Sequence, residues 1–368
     1  MLKSKWFYSL LLALLLFNSC IEPFSFAINE ETKPLVIQSF ISDVSYDETI
    51  SYPSNGRYFQ TILRYGQNLS RLGENVSGAN VSLLDNTGNK WTYTEVAPGD
   101  YQLINPSFRA LEGTEYKLEI LMPNGDIFES DWEKLVDGTH EMGDIGFIEK
   151  TVIDTRWFDD KKILEEVKGI DLTVDIPENK DESDRFLMWQ FETVWIYLAG
   201  FLNDDNPFYQ CWVTGNAYMS QYLTLTDHNG GYTNELLFIE YEWNERVAWE
   251  LSILVKQFMI SEEYYDFLQE LDNRWEASQL FATPPFNLKT NYHGVNTENQ
   301  VFGYFSVRKE LAKRFYWSID DLSYTFTRSP GDFCLGVDVR DFENPCFNCL
   351  NYYYGGEASL TPPVWWNP

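Results

Sequence analysis

The residues of this 368-residue chain whose chemistry is easiest to predict are its five cysteines: Cys20, Cys211, Cys334, Cys346 and Cys349. Cys346 and Cys349 are separated by two residues, a spacing that is typical of zinc ligands and of redox-active pairs. A zinc site of four thiolates needs a second such pair, but Cys211 and Cys334 are isolated, and no redox-type strand–helix–strand pattern surrounds the pair. We therefore expect Cys211, Cys334, Cys346 and Cys349 to form two disulfides in an oxidising compartment, with three pairings left open.

Cys20 has a different setting, at the end of an apolar run near the amino terminus. Two lysines precede the apolar run Trp6–Phe17, which is shorter than the roughly 20 residues of a membrane-spanning helix. This pattern is typical of a signal peptide, here over residues 1–19. Because the small residue Ser19 precedes Cys20, we expect lipidation of Cys20 with diacylglycerol and a further acyl chain such as palmitate, followed by a tether over 20–32. An ordinary secretory signal is the alternative.

Two acidic loops could bind calcium, because Ca²⁺ prefers several clustered oxygen ligands. Asp181 and Asp184 belong to the first loop, and Asp204 and Asp205 belong to the second. Neither loop has the spacing of an EF-hand, and a solvated turn is the alternative interpretation. Apart from these loops, we expect no metal site and no cofactor.

Catalytic patterns are missing from the sequence. The three histidines, His140, His228 and His293, lie in separate segments, without a Gly-x-Ser-x-Gly elbow, a paired-histidine zinc motif or a glycine-rich phosphate loop. We therefore expect a non-enzymatic protein. A hydrolase that uses two carboxylates is the alternative, because 56 Asp and Glu residues leave many pairs open. The net charge of −29 excludes nucleic-acid binding.

The apolar pattern predicts a mainly β protein. Ala79, Val81 and Leu83 alternate with polar residues, and Asn124 and Gly125 are typical of a tight hairpin turn. Similar short alternating segments, separated by turn residues, extend over residues 33–135. They predict an immunoglobulin-like β-sandwich.

A second β-rich domain is expected over residues 136–368. It includes a long strand with an apolar face from Leu187 to Tyr197, and two late strands over 301–307 and 314–319. It also carries one amphipathic helix near 262–279, which begins after Ser261, a residue type that caps helices well.

Short motifs along nearly the whole chain give it a resemblance to a known family. In order, they are Cys20–Phe24, Gly78–Val81, Gly99–Tyr101, Gln210–Trp212, Ser261–Tyr265, Val301–Ser306, Cys346–Cys349 and Pro362–Trp366. With these motifs the chain resembles the Bacteroidota outer-membrane lipoprotein family called domain of unknown function 4249. Each motif is short, and it is their shared order that makes the resemblance specific.

The resemblance implies a lipoprotein anchored in the outer membrane and exposed at the cell surface. It also implies a partner, a TonB-dependent β-barrel transporter, for which the protein would act as an accessory or ligand-capture subunit. The alternative is a structural subunit of a surface or outer-membrane assembly complex. The family offers no catalytic residues that could be carried over to this chain.

Overall fold

The computed structural model describes residues 33–66, 73–158, 161–181, 183–215, 222–241, 244–277, 289–323, 329–338 and 340–367. The expected signal peptide and the tether with Cys20 lie outside these residues, so both stay predictions. Within the described ranges, no helix is long and apolar enough to cross a membrane.

A β-sandwich with one apolar core forms the amino-terminal part of the fold. Its first layer consists of β1 (Leu35–Ser42), β2 (Phe59–Tyr65), β5 (Thr94–Ala97) and β6 (Asp100–Leu103), with the single-turn helix α1 (Tyr46–Thr49) after β1. The second layer is a six-stranded sheet of β3 (Asn80–Asp85), β4 (Lys90–Thr92), β7 (Glu115–Leu121), β8 (Ile127–Ser130), β9 (Glu133–Lys134) and β17 (Tyr292–Gly294). Alternate residues of both layers, among them Ile37, Leu63, Leu83 and Leu118, are fully buried. The expected sandwich is confirmed.

Polar turns join the strands of this sandwich. The Asp85 carboxylate accepts the backbone N–H groups of Thr87 and Asn89 at 3.0 and 2.8 Å, which closes the turn between β3 and β4. Gly125 joins β7 to β8 with a φ of 93°, a left-handed conformation that glycine adopts without strain. The Asn-Gly pair therefore forms the hairpin turn that the sequence predicts.

A second core lies between a three-stranded sheet and the rest of the largest sheet. The three strands are β10 (Ile145–Phe158), β11 (Lys161–Ile176) and β15 (Tyr232–Glu240), with β11 in the middle. The other layer contains β12 (Arg185–Leu198), β13 (Gln210–Thr214), β14 (Leu223–Asp227), β16 (Glu250–Ile260), β18 (Val301–Ser318) and β19 (Glu357–Ser359). Trp189, Trp195 and Trp317 fill this core. The two late strands expected over 301–307 and 314–319 are one continuous strand, β18.

Helix α2 (Glu262–Ala277) covers the opposite face of the largest sheet. The Ser261 hydroxyl accepts the backbone N–H of Tyr264 at 3.2 Å and so caps the helix. The apolar stripe of the helix packs on the sheet in a third cluster of Met188, Phe258, Ile260, Tyr264, Phe267 and Leu268. The helix expected near 262–279 is confirmed over these residues.

Parallel pairing of β1 with β18 joins the two parts of the fold. Leu35 lies opposite Val301 and Ser42 lies opposite Arg308, so strands of both parts form one ten-stranded sheet. Gly303 is required at this seam, because a Cβ there would come within 1.9 Å of the Ile37 carbonyl oxygen. Residues 34–368 form one compact unit. The domain boundary expected at residue 135 stays a prediction, and strands from both sides of it share this sheet.

Two disulfides hold the carboxyl-terminal segment. Cys211 of β13 is bonded to Cys349 across 138 residues, and Cys334 is bonded to Cys346 across 12 residues. The expectation of two disulfides is confirmed. The zinc and redox-pair alternatives are wrong, because Cys346 and Cys349 belong to different disulfides and neither has a free thiolate.

Loss of the two disulfides should destabilise the protein to different extents. A disulfide restricts the conformations of the unfolded chain, and the resulting stabilisation of the folded protein increases with the length of the loop that the disulfide closes. Replacing Cys211 and Cys349 together with Ala should lower the free energy of unfolding by about 5 kcal/mol, and replacing Cys334 and Cys346 together by about 3 kcal/mol. Urea denaturation of both double variants measures this difference; equal losses would contradict the expectation.

Candidate functional site

An open cleft of about 630 Å³ lies where the segment 131–138, the start of α2 and the first residues of β12 meet. Its volume is in the range of small-molecule binding sites. Among the described residues, eight carboxylates and two basic side chains line it: Glu115, Asp131, Glu133, Asp137, Asp181, Asp184, Glu262, Glu263, Lys134 and Arg185. The cleft therefore concentrates the acidic character of the chain at one place.

Glu133 lies at the base of this acidic cleft. Its Oε1 accepts hydrogen bonds from Asn291 Nδ2 and from the Tyr304 hydroxyl, both at 3.0 Å. Asn291 is itself fixed on β18, since its side chain bonds both backbone polar groups of Phe305. Burial raises the pKa of Glu133 to about 7, and the nearby charges of Glu263 and Asp131 add to this rise. The carboxyl group therefore gains or loses its proton close to neutral pH.

A second wall is the first turn of α2. Glu262 and Glu263 are exposed there, at the positive end of the helix dipole. These two carboxylates therefore add negative charge to the cleft beside Glu133.

The third wall contains two of the predicted calcium ligands. The Asp181 carboxylate accepts the backbone N–H of Thr139 at 3.1 Å, and Asp184 Oδ1 lies 2.7 Å from His228 Nδ1. Arg185 is neutralised by the buried carboxylate of Asp227, whose Oδ2 accepts from Arg185 Nε at 2.9 Å. Its charge therefore does not offset the acids of the cleft.

Asp204 and Asp205, the other predicted calcium ligands, lie in the turn between β12 and β13 and do not line the cleft. Within the part of the chain that the structure describes, no three Asp, Glu, His or Cys side chains are grouped as metal ligands would be. Glu182, which lies between Asp181 and Asp184 in the sequence, is outside the described residues. The calcium hypothesis thus gains no support.

The histidines contact residues of the fold. His140 is half-buried beside Gln257. The Nε2 of Gln257 lies 3.2 Å from His140 Nε2, and its Oε1 accepts from Trp189 Nε1 at 3.1 Å. Burial lowers the pKa of His140 to about 3, so the ring stays neutral and anchors the cleft segment to the sheet. His293 Nδ1 lies 3.7 Å from the Asp131 carboxylate at the cleft rim.

Glu133, Asn291 and Tyr304 are the functional candidates that sequence patterns miss. Glu133 is 158 residues from Asn291 and 171 from Tyr304. Glu133 and Asn291 belong to none of the motifs named above, and the motif that contains Tyr304, Val301–Ser306, indicates no chemistry. Only the position of β18 beside the first sandwich brings them together.

Fold and site together define a β-rich protein with an acidic open cleft. The chain belongs to the family described as Domain of unknown function (DUF4249), whose model matches residues 21–314. The match includes every residue that lines the cleft and excludes Cys334, Cys346 and Cys349. No curated protein and no solved structure matches the chain.

The Glu133→Gln variant should be more stable than the native protein above neutral pH. The folded protein keeps the Glu133 proton up to about pH 7, whereas the unfolded chain releases it near its ordinary pKa of about 4.3. Native stability therefore falls as pH rises through this window, and the variant lacks this loss. At pH 8 we expect a gain on the order of 2 kcal/mol, and at pH 4 little change.

Urea denaturation at a series of pH values measures the difference between variant and native protein. The exposed Glu298→Gln variant is the matched control and should follow the native curve. A constant difference between Glu133→Gln and the native protein across the whole pH series would show that Glu133 has an ordinary pKa.

Proposed function

We propose that this protein is a lipid-anchored, non-enzymatic lipoprotein of the outer membrane that captures a positively charged ligand at the cell surface for a TonB-dependent transporter. The acidic cleft is the observation that carries the proposal. Anchoring through Cys20 is supported by the sequence that surrounds it, and the transporter partner by what the resemblance to the family implies.

The charge of the cleft selects the class of ligand. Carboxylates gathered in a concave surface focus the field and raise the local concentration of cations. Lys134, the second cation of the cleft, is exposed and lies 3.8 Å from the Asp137 carboxylate. A ligand with several amines or guanidinium groups therefore fits the cleft better than a neutral or anionic one.

Glu133 would couple ligand capture to pH. A cation near Glu133 favours the ionised carboxylate, so ligand binding lowers its pKa and releases a proton. By the same linkage, the affinity for the cation rises as pH increases through about 7, the pKa of the free site. A purely exposed acidic surface would bind with little change over this range.

Trilysine is a suitable probe of the cleft, with trialanine and triglutamate as neutral and anionic controls. Calorimetric titration of the full chain should show binding of trilysine alone, weakened by salt and stronger at pH 8 than at pH 6. Replacing Glu262 and Glu263 together with Gln should weaken binding roughly fivefold, from the loss of two exposed charge contacts. Glu133→Gln should remove the pH dependence.

Glu298→Gln is again the control, because Glu298 is exposed and does not line the cleft. Equal binding of all three peptides, or equal effects of the cleft and control variants, would refute cation capture.

The transporter partnership is tested separately, by isolating the tagged full chain from native membranes in a mild detergent. We expect an outer-membrane β-barrel protein to co-purify in a stoichiometric amount. A Cys20→Ala variant removes the lipid and should reduce co-purification, because the partner is then no longer held at the same membrane. Consistent isolation of the native chain alone would contradict the accessory role.

A further inference from the structure

Strands β10 and β11 extend together beyond the third strand of their sheet. Pairing of β11 with β15 ends at Gly169 and Glu240, whereas β10 and β11 remain paired out to Phe158 and Lys161. We call residues 151–158 and 161–168 the arm. Within the described part of the chain, the arm has no third strand on either side.

Three large apolar side chains on one face of the arm are open to solvent. Ile153, Trp157 and Leu164 are 71%, 69% and 76% exposed. All three lie on the face that, farther along β11, is buried in the second core. Apolar side chains grouped along an exposed strand indicate a surface that is covered by a partner.

The outer edge of β10 also has main-chain groups that point away from β11. The Asp175 N–H donates to the Asp144 carbonyl at 2.9 Å, which marks position 144 as bonded towards β11. Because bonding alternates along an antiparallel strand, Ile153, Thr155 and Trp157 point their N–H and C=O groups outwards. In agreement, the Thr155 N–H donates to the side chain of Asp154 at 2.7 Å.

We propose that the arm pairs with the arm of a second copy of this chain. The outer edges of the two β10 strands would run antiparallel about a two-fold axis at Thr155. Ile153 of each copy then lies opposite Trp157 of the other, and Asp154 opposite Arg156.

The sequence around Thr155 is self-complementary in this register. Positions 153 and 157 are apolar, and positions 154 and 156 carry opposite charges. An axis at Asp154 or at Arg156 would instead place identical charges opposite each other, which destabilises a sheet. The pairing of opposite charges therefore favours a two-fold axis at Thr155 over an axis at Asp154 or at Arg156.

The geometry of each cross-strand pair agrees with its chemistry. Thr155 and the 153–157 positions become hydrogen-bonded pairs. The Thr155 N–H then exchanges its bond to the Asp154 side chain for one to the second copy, which frees the Asp154 carboxylate. Asp154 and Arg156 form the intervening non-hydrogen-bonded pairs, in which side chains are closest. Arg156 already donates to Glu240 at 2.6 Å but remains 38% exposed, so its guanidinium can also contact the carboxylate of the second copy.

Charge-reversal variants of the full chain test this pairing by sedimentation in detergent. The native protein should form dimers, whereas Asp154→Arg alone and Arg156→Asp alone should associate roughly tenfold less, because each places like charges in contact. An equimolar mixture of the two variants should restore dimers, since each charge then meets its opposite. The restored dimer also shows that both variants are folded.

Cysteine variants locate the contact. The Cα atoms of a non-hydrogen-bonded pair are about 4.5 Å apart, within disulfide range. A mixture of Asp154→Cys and Arg156→Cys should therefore crosslink on oxidation, and neither variant should crosslink alone. Glu165→Cys on β11 is the control, about 14 Å from its symmetry mate at the spacing of sheet strands.

The proposal fails if the native chain is monomeric, as it would be if the arm binds a different protein. It also fails if both single charge variants keep the native dimer, or if the mixture does not restore it. Each of these outcomes leaves the cation-binding titration of the cleft unaffected, so the two proposals are tested independently.

Discussion

Strand β1 lies beside β18 although they come from opposite ends of the described chain, so their pairing requires the closure of a very long loop. The same pairing makes one sheet out of strands that serve two different cores. It also places the Tyr304 hydroxyl of β18 3.0 Å from the Glu133 carboxylate, and Asn291, which is bonded to Phe305 of β18, contacts the same carboxylate. The hydrogen bonds that hold Glu133 in the acidic cleft therefore depend on the position of β18.

Buried charges fix the register of this pairing. Arg57 Nη2 and the Ser42 hydroxyl both donate to Glu310 Oε2 at 2.6 Å, and the Glu310 side chain is almost fully buried. Two residues before Glu310 on β18, the Arg308 guanidinium lies 4.1 Å from the ring centre of Phe40 and donates to the Tyr264 hydroxyl. A slipped register would bury Glu310 without Arg57, a loss of several kcal/mol.

Local patterns in the sequence predict the parts of this protein that depend on neighbouring residues. The alternation of Ala79, Val81 and Leu83, the Asn124-Gly125 turn and the cap at Ser261 each act within a few residues, and each is confirmed. The pairing of Cys211 with Cys349 and the meeting of Glu133 with Tyr304 depend on contacts across more than a hundred residues. No local propensity encodes such contacts. The long strand β10 is also absent from the sequence-based expectation, because polar residues interrupt the alternation of apolar and polar side chains that identifies a strand.

The cleft and the arm differ in their charge: the cleft is strongly acidic, whereas the arm carries both positive and negative side chains. A net charge of −29 makes two copies repel each other over most of their surface. Salt at physiological strength screens this repulsion beyond about 8 Å, but contacts between charges in direct register are screened less. With the axis at Thr155, the end of each three-stranded region at Lys150 lies five residues, or about 17 Å, from the axis. The acidic bodies are thereby kept apart while the mixed-charge arms touch. Because no residue of the arm lines the cleft, both clefts of such a pair remain open to cations.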